Sequence, residues 1–170
     1  MPKTAFLFPG QGSQKPGMGL AYHEETSIGR DLFERADSAL GFPLSRLCFE
    51  GPAAELTRTE NAQPAIFTVS TIAWKLLEER GIRAEAAAGH SLGEYSALVC
   101  AGVLTFEDGL RTVRRRGELM AEVGDRVRGA MAAVLDLPVE AVVDLCAEAS
   151  AAGVVDVANF NHPKQTVLSG

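Results

Sequence analysis

The chain has 170 residues, 46% of them hydrophobic and 22% charged, with a formal net charge of -6. That length supports one domain with a real core and is short for two, and the composition excludes disorder as a default. The acidic balance argues against nucleic acid as a partner, although Arg111, Arg114, Arg115 and Arg116 form a local basic patch.

No run approaches the roughly 18 apolar residues of a membrane span. The opening "MPKTAFLFPGQG" holds one lysine and a short apolar stretch, so it does not read as a secretory signal. Cys48, Cys100 and Cys146 are odd in number and far apart. They are expected to be buried free thiols in a reducing cytoplasm, with neither a disulfide framework nor a metal site.

Along the chain, residues 4–8 form a short apolar run closed by Pro9 and Gly10, which predicts a buried strand running into a turn. The glycine-rich stretch "FPGQGSQKPGMG" follows. A phosphate loop fails there because Met18 stands where its lysine belongs, and Lys15 breaks the dinucleotide fingerprint. What remains is a loop at the C-terminal end of a strand, where ligands gather in parallel α/β sheets. Its backbone amides can point at an oxyanion.

"DLFERADSALG" puts Leu32, Phe33, Ala36 and Leu40 on one helical face, with Gly41 as a stop. In "QPAIFTVSTIAWKLLEERG" the apolar stripe is Ile66, Val69, Ala73, Leu76 and Leu77. Pro64 suits the first turn of that helix and Gly81 the position after its end. "EAAAG" predicts a second buried strand, "LGEYSALVCAG" a helix, and "TFEDGLRTVRRRGELM" another helix opened by a Thr105–Asp108 capping box. Strands and helices in this order favour an α/β layered domain over residues 1–127. From 128 to 170 the order becomes strand, helix, strand, strand. That is the beginning of a ferredoxin-like subdomain, which normally closes with a further helix and strand.

The chemistry concentrates in Gly89-His90-Ser91-Leu92-Gly93. A Gly-x-Ser-x-Gly turn between a strand and a helix forces the serine into a strained conformation and exposes its hydroxyl. The amide of Leu92 then lies at a helix N-terminus, able to donate to an oxyanion. Ser91 is the expected nucleophile.

What takes its proton is less plain. His90 adjoins Ser91, but neighbours at such a turn point in different directions, and His23 reads as a surface residue. A Ser91–Asp156–His162 order matches the chain order of α/β-hydrolase triads, which leaves a small esterase or thioesterase open. Arg114 and Arg115 read as a solvated basic face. One inward arginine would grip an acyl carboxylate, and spacing does not say which one.

The blocks "FLFPGQGSQKPGMG", "TENAQPAIFTVS", "GHSLGEYSALVCAG", "RRRGELM", "GAMAAVL" and "NFNHPKQTVLSG" occur in order. Together they resemble the malonyl-CoA:acyl-carrier-protein transacylases of fatty acid synthesis and the acyltransferase domains of polyketide synthases. The resemblance implies an α/β-hydrolase-like core with a ferredoxin-like subdomain and a Ser91 acyl-enzyme formed from malonyl-CoA. The acyl group then passes to the phosphopantetheine thiol of an acyl carrier protein. Gln11 and Leu92 would supply the oxyanion amides and Arg116 the carboxylate partner. No cofactor is implied, since malonyl-CoA is a substrate. The family's catalytic histidine falls in a later motif, beyond Gly170, and His162 stands where a small serine is usual. The chain thus reads as the N-terminal part of a transacylase, with a complementing C-terminal segment as an expected partner. A non-catalytic acyltransferase fragment is the third alternative.

Overall fold

A computed structural model describes residues 3–126 and 129–170. It is an α/β chain that divides into two compact units, residues 1–122 and 123–170. The boundary expected at residue 127 lies outside the described residues.

In the first unit, β1 (Ala5–Phe8) leads through the glycine-rich loop into α1 (Leu20–Glu25), α2 (Ser27–Leu40), α3 (Leu44–Glu50) and α4 (Ala53–Thr57). α5 (Thr59–Glu79), β2 (Ala86–Gly89), α6 (Gly93–Cys100) and α7 (Phe106–Arg126), which runs past the boundary at residue 122, complete the order. The short helices α1, α3 and α4 carry too few turns to give a periodic signal in the sequence.

β1 and β2 pair in parallel, Ala5 opposite Ala86 and Phe8 opposite Gly89. Parallel pairing brings both C-terminal ends to the same edge. The glycine-rich loop and the serine turn therefore leave the sheet side by side, joined by the His90 amide donating to the Phe8 carbonyl at 3.1 Å. Phe33, Leu44, Leu56, Ile66, Phe67, Ile72, Leu110 and Val113 form the buried centre of this unit. Most of the stripe read on α5 faces β1: Ile66, Val69, Ala73 and Leu77 line an apolar cleft with Phe6 and Phe8.

Two helix ends follow the sequence reading. Gly41 closes α2 in the left-handed region at φ 72°. Thr105 opens α7, where its hydroxyl oxygen accepts the Asp108 amide at 3.1 Å and its proton goes to the Asp108 carboxylate at 2.7 Å.

The start of α5 differs. Pro64 lies inside the helix, not in its first turn, because the helix begins at Thr59. A proline cannot donate to the carbonyl one turn back, here that of Glu60. Arg114 satisfies it instead, with Nη1 donating to the Glu60 carbonyl at 2.9 Å and to Asn61 Oδ1 at 2.7 Å. This corrects the reading of Arg114 as a solvated arginine. Arg115 is exposed and pairs with Glu118 and Glu122 on its own helix.

The second unit holds β3 (Met131–Leu135), α8 (Val139–Ala149), β4 (Asp156–His162) and β5 (Gln165–Ser169), with strand order β3-β5-β4. Both pairings are antiparallel. β3 and β4 therefore run the same way with β5 between them, and α8 is the crossover. Val142 and Cys146 of α8 and Thr166 of β5 are buried, while Met131, Leu135 and Phe160 are exposed.

Candidate active site

The serine turn is as tight as its glycines predict. A Cβ on Gly89 would run into the Gly93 backbone, and one on Gly93 into the Phe8 carbonyl. With both positions reduced to glycine, α6 starts directly against the ends of β1 and β2. Ser91 takes φ 54°. A non-glycine residue in the left-handed region stores about 1–3 kcal/mol of strain, held in place by the structure around it. The turn continues as the Gly93 amide donates to the His90 carbonyl at 2.9 Å and the Glu94 amide to the Ser91 carbonyl at 3.2 Å. Leu92 sits as the residue capping α6 and is fully buried.

Of the four neighbouring arginines, Arg116 is the one that turns to the serine. Its Nη2 donates to Ser91 Oγ at 2.8 Å. Nη1 of the same guanidinium donates to Gln63 Oε1 at 2.7 Å. α7 can come this close because the next residue is Gly117, where a Cβ would stand 2.6 Å from Glu60 Cα and 2.8 Å from the Thr59 carbonyl oxygen.

Gln63 did not figure in the sequence reading, and it is 0% exposed. Its Nε2 donates to Thr59 Oγ1 at 3.0 Å and to Met120 Sδ at 3.4 Å. Thr59 in turn donates to Gln11 Oε1 at 3.0 Å. One run of side-chain hydrogen bonds thus joins Gln11, Thr59, Gln63, Arg116 and Ser91. The available signal was a glutamine three and four residues before Ile66 and Phe67, a polar group on an apolar helix face.

Asp156 and His162, the acid and base of the alternative reading, do not pair with each other. They occupy opposite ends of β4, paired with Ser169 and Gln165; those partners stand four residues apart on β5, about 13 Å at the usual strand rise, too far for a carboxylate to hold the imidazole. His162 Nδ1 accepts the Lys164 amide at 3.1 Å, and Asp156 Oδ1 accepts the amide of Val157 at 2.8 Å. His23 is half-buried in α1, with its ring 5.1 Å from that of Phe49 and 6.2 Å from that of Phe33.

Among the described residues, no three His, Cys, Asp or Glu side chains cluster closely enough to hold a metal ion. No helix among them is long and apolar enough to cross a membrane.

Residues 5–170 match the family model for the acyl transferase domain. A malonyl CoA-acyl carrier protein transacylase from Bacillus subtilis (strain 168) is 50% identical over 171 residues, covering 100% of this chain and 54% of its own length. The protein of that name from Escherichia coli (strain K12) is 44% identical over 171 residues, covering 100% of this chain and 55% of its own. The solved acyl-carrier-protein-S-malonyltransferase of Bartonella henselae superposes with a TM-score of 0.94 at 41% identity, covering 99% of this chain and 55% of that one. A malonyl-transacylase solved in complex with its type II PKS acyl-carrier protein gives 0.91 at 39% identity, with the same coverage. The chain spans about half the length of the curated relatives it matches.

Proposed function

This chain belongs to the acyl transferase domain family, and from that premise we propose that it carries the acyl-accepting half of a malonyl-CoA:acyl-carrier-protein transacylase site. Ser91 is the acceptor. Its Oγ attacks the thioester carbonyl of malonyl-CoA, the new C–O bond forms, and the C–S bond breaks to release the CoA thiolate. The backbone amides of Gln11 and Leu92 take the oxyanion, one from the loop after β1 and one from the start of α6. Arg116 takes the malonyl carboxylate. The acyl ester then passes to the phosphopantetheine thiol of an acyl carrier protein. The Ser91 proton goes to a general base other than His23, His90 and His162.

The observation that carries the proposal is the Arg116–Ser91 contact at 2.8 Å. A guanidinium already at the nucleophile is placed to bind an acyl group that bears its own anion, and a bidentate pair to carboxylate is the geometry arginine favours. The strained serine turn supports an α/β-hydrolase-like reading of the first unit. The split strand–helix–strand of β3, α8 and β4 around β5 supports a ferredoxin-like reading of the second.

The test is to incubate the chain with malonyl-CoA and map the acylated peptide by mass spectrometry. Malonylation on Ser91, absent in Ser91→Ala, unaffected by His162→Ala and discharged by a holo carrier protein, is the expected result. Acylation elsewhere, or labelling that survives Ser91→Ala, refutes it.

A further inference from the structure

We propose that Gln63 is a positioning residue which, through Thr59, ties Arg116 to the Gln11 loop, so that carboxylate selection and the oxyanion loop are set as one unit. The proposal rests on the reading of Ser91 and Arg116 above and extends it to residues outside the serine turn.

Three observations carry it. First, every polar atom of the Gln63 amide is used: Oε1 accepts from Arg116, and Nε2 donates to Thr59 Oγ1 and Met120 Sδ. The side chain is wholly enclosed at 0% exposure. A buried amide with all its partners cannot turn over without losing several bonds at once, so its orientation is determined.

Second, the hydrogen bonds are directional. Arg116 only donates, so Gln63 must present its oxygen there and its NH₂ to Thr59. The Thr59 hydroxyl, having accepted from Gln63, donates to Gln11 Oε1. The order of donors and acceptors is thereby fixed from Arg116 to Gln11 with no free choice at any link.

Third, Gln63 takes one side of the guanidinium and leaves Nη2 on Ser91 Oγ. When an acyl carboxylate arrives, Arg116 keeps its Gln63 anchor at Nη1 and can move Nη2 from the serine oxygen to the carboxylate. A neutral amide suits this purpose. It holds the guanidinium without neutralising it, whereas a carboxylate at position 63 would compete with the substrate's own anion.

The experiment is single-turnover acylation of the 170-residue chain, followed by intact mass at several malonyl-CoA and acetyl-CoA concentrations. The variants are Gln63→Leu, the isosteric Gln63→Glu, Thr59→Val and Thr59→Ser, with thermal melts to verify folding. Gln63→Glu should lower the malonyl-to-acetyl ratio by about 10-fold or more, mostly by raising the malonyl-CoA concentration at half-maximal rate. Thr59→Val should lower the ratio in the same direction, and Thr59→Ser, which keeps the hydroxyl, should restore it.

A second readout needs no acyl-CoA. With ¹⁵N-arginine, Arg116 should show separate, slowly exchanging Nη signals in the wild type and averaged ones in Gln63→Leu. If the wild type is malonylated with preference and folded Gln63→Glu and Thr59→Val keep its ratio, the proposal falls and the functional reading stands. If the wild type is not malonylated on Ser91, the functional reading falls and selection by Gln63 falls with it. The Nη signals then report whether the anchoring itself exists, and averaged signals in the wild type overturn that too.

Discussion

Arg116 and Ser91, 25 residues apart in sequence, meet at 2.8 Å between a guanidinium nitrogen and the serine oxygen. A charged donor on the nucleophile draws electron density from it, and the same donor is positioned for a carboxylate next to the reacting carbonyl. Replacing Arg116 by lysine removes the fork, since one ammonium on a flexible stem does not reproduce two fixed N–H donors. Arg116→Lys should therefore lower the malonyl-to-acetyl labelling ratio at Ser91 by about 10-fold or more. An unchanged ratio, read by intact mass, would make Arg116 a structural arginine.

Gly117→Ala should disturb the same site from beneath. The added methyl would meet the Glu60 Cα at 2.6 Å, and a backbone contact cannot yield as a flexible side chain does. Overpacking of this kind costs about 1–3 kcal/mol, and it pushes α7, with Arg116, away from Gln63. Urea melts should show the stability loss, and Ser91 malonylation should slow alongside it. Ala at the open Gly124 inside the same helix, where nothing lies within 4 Å of a built Cβ, is the control: it should raise stability by about 0.5–1 kcal/mol and leave malonylation unchanged.

Arg114 and Pro64 should be energetically coupled. Arg114→Met strips the Glu60 carbonyl of the donor that stands in for the proline's missing amide. A part-buried carbonyl that loses its donor costs about 1 kcal/mol. In a Pro64→Ala background the restored amide can reach that carbonyl, so the same arginine change should cost less. A double-mutant cycle by chemical denaturation that returns strictly additive losses would remove this account of how the helix tolerates its proline.

The Arg35–Glu107 pair, which ties α2 to the first turn of α7 at 2.7 Å, should give an acid-dependent contribution to stability. The Arg35 guanidinium holds the Glu107 carboxyl below the usual carboxylate range, with burial acting against it. Because the folded value is depressed, the stabilisation is complete above the unfolded value of about 4.3 and is lost as pH falls through the folded one. Both side chains are partly solvated, so the pair contributes about 0.5–1 kcal/mol. Glu107→Gln should be less stable than wild type at neutral pH, and the difference should vanish once the pH falls below the depressed folded value. A difference that persists there would reflect packing.

Cys48 should be inert in the folded chain. Burial, then the Asp37 carboxylate, pushes its thiol up to about 12, and the thiolate is the reactive form. Titration with a thiol reagent at mildly alkaline pH, mapped by peptide mass, should find Cys48 unlabelled until the chain is denatured. The half-buried Cys100, though its thiol is also raised by burial, should label first.

The residues that announce themselves in the sequence are those under steric constraint. Gly89 and Gly93 are legible because the strand-to-helix turn admits no side chain there, and Gly41 and Thr105 because helix ends leave amides and carbonyls that few residues satisfy. Strands β1 to β5 and the long helices are legible from apolar periodicity and its punctuation. α1, α3 and α4 are not, since five to seven residues hold too few turns for a period.

Sequence by itself determined the serine turn, the placing of Leu92 at a helix start and the presence of several arginines in one later helix. All of these depend on residues close together in the chain. Only the tertiary structure decided which arginine faces the serine and that Gln63 orients it. It also decided that Arg114 braces the proline in α5 and that Asp156 and His162 are strangers on one strand. Adjacent residues on a helix point about 100° apart, so Arg114, Arg115 and Arg116 meet three different environments. What those environments are depends on how α7 lies against α5. That is set where glycine lets two backbones touch, and no local pattern in the chain encodes it.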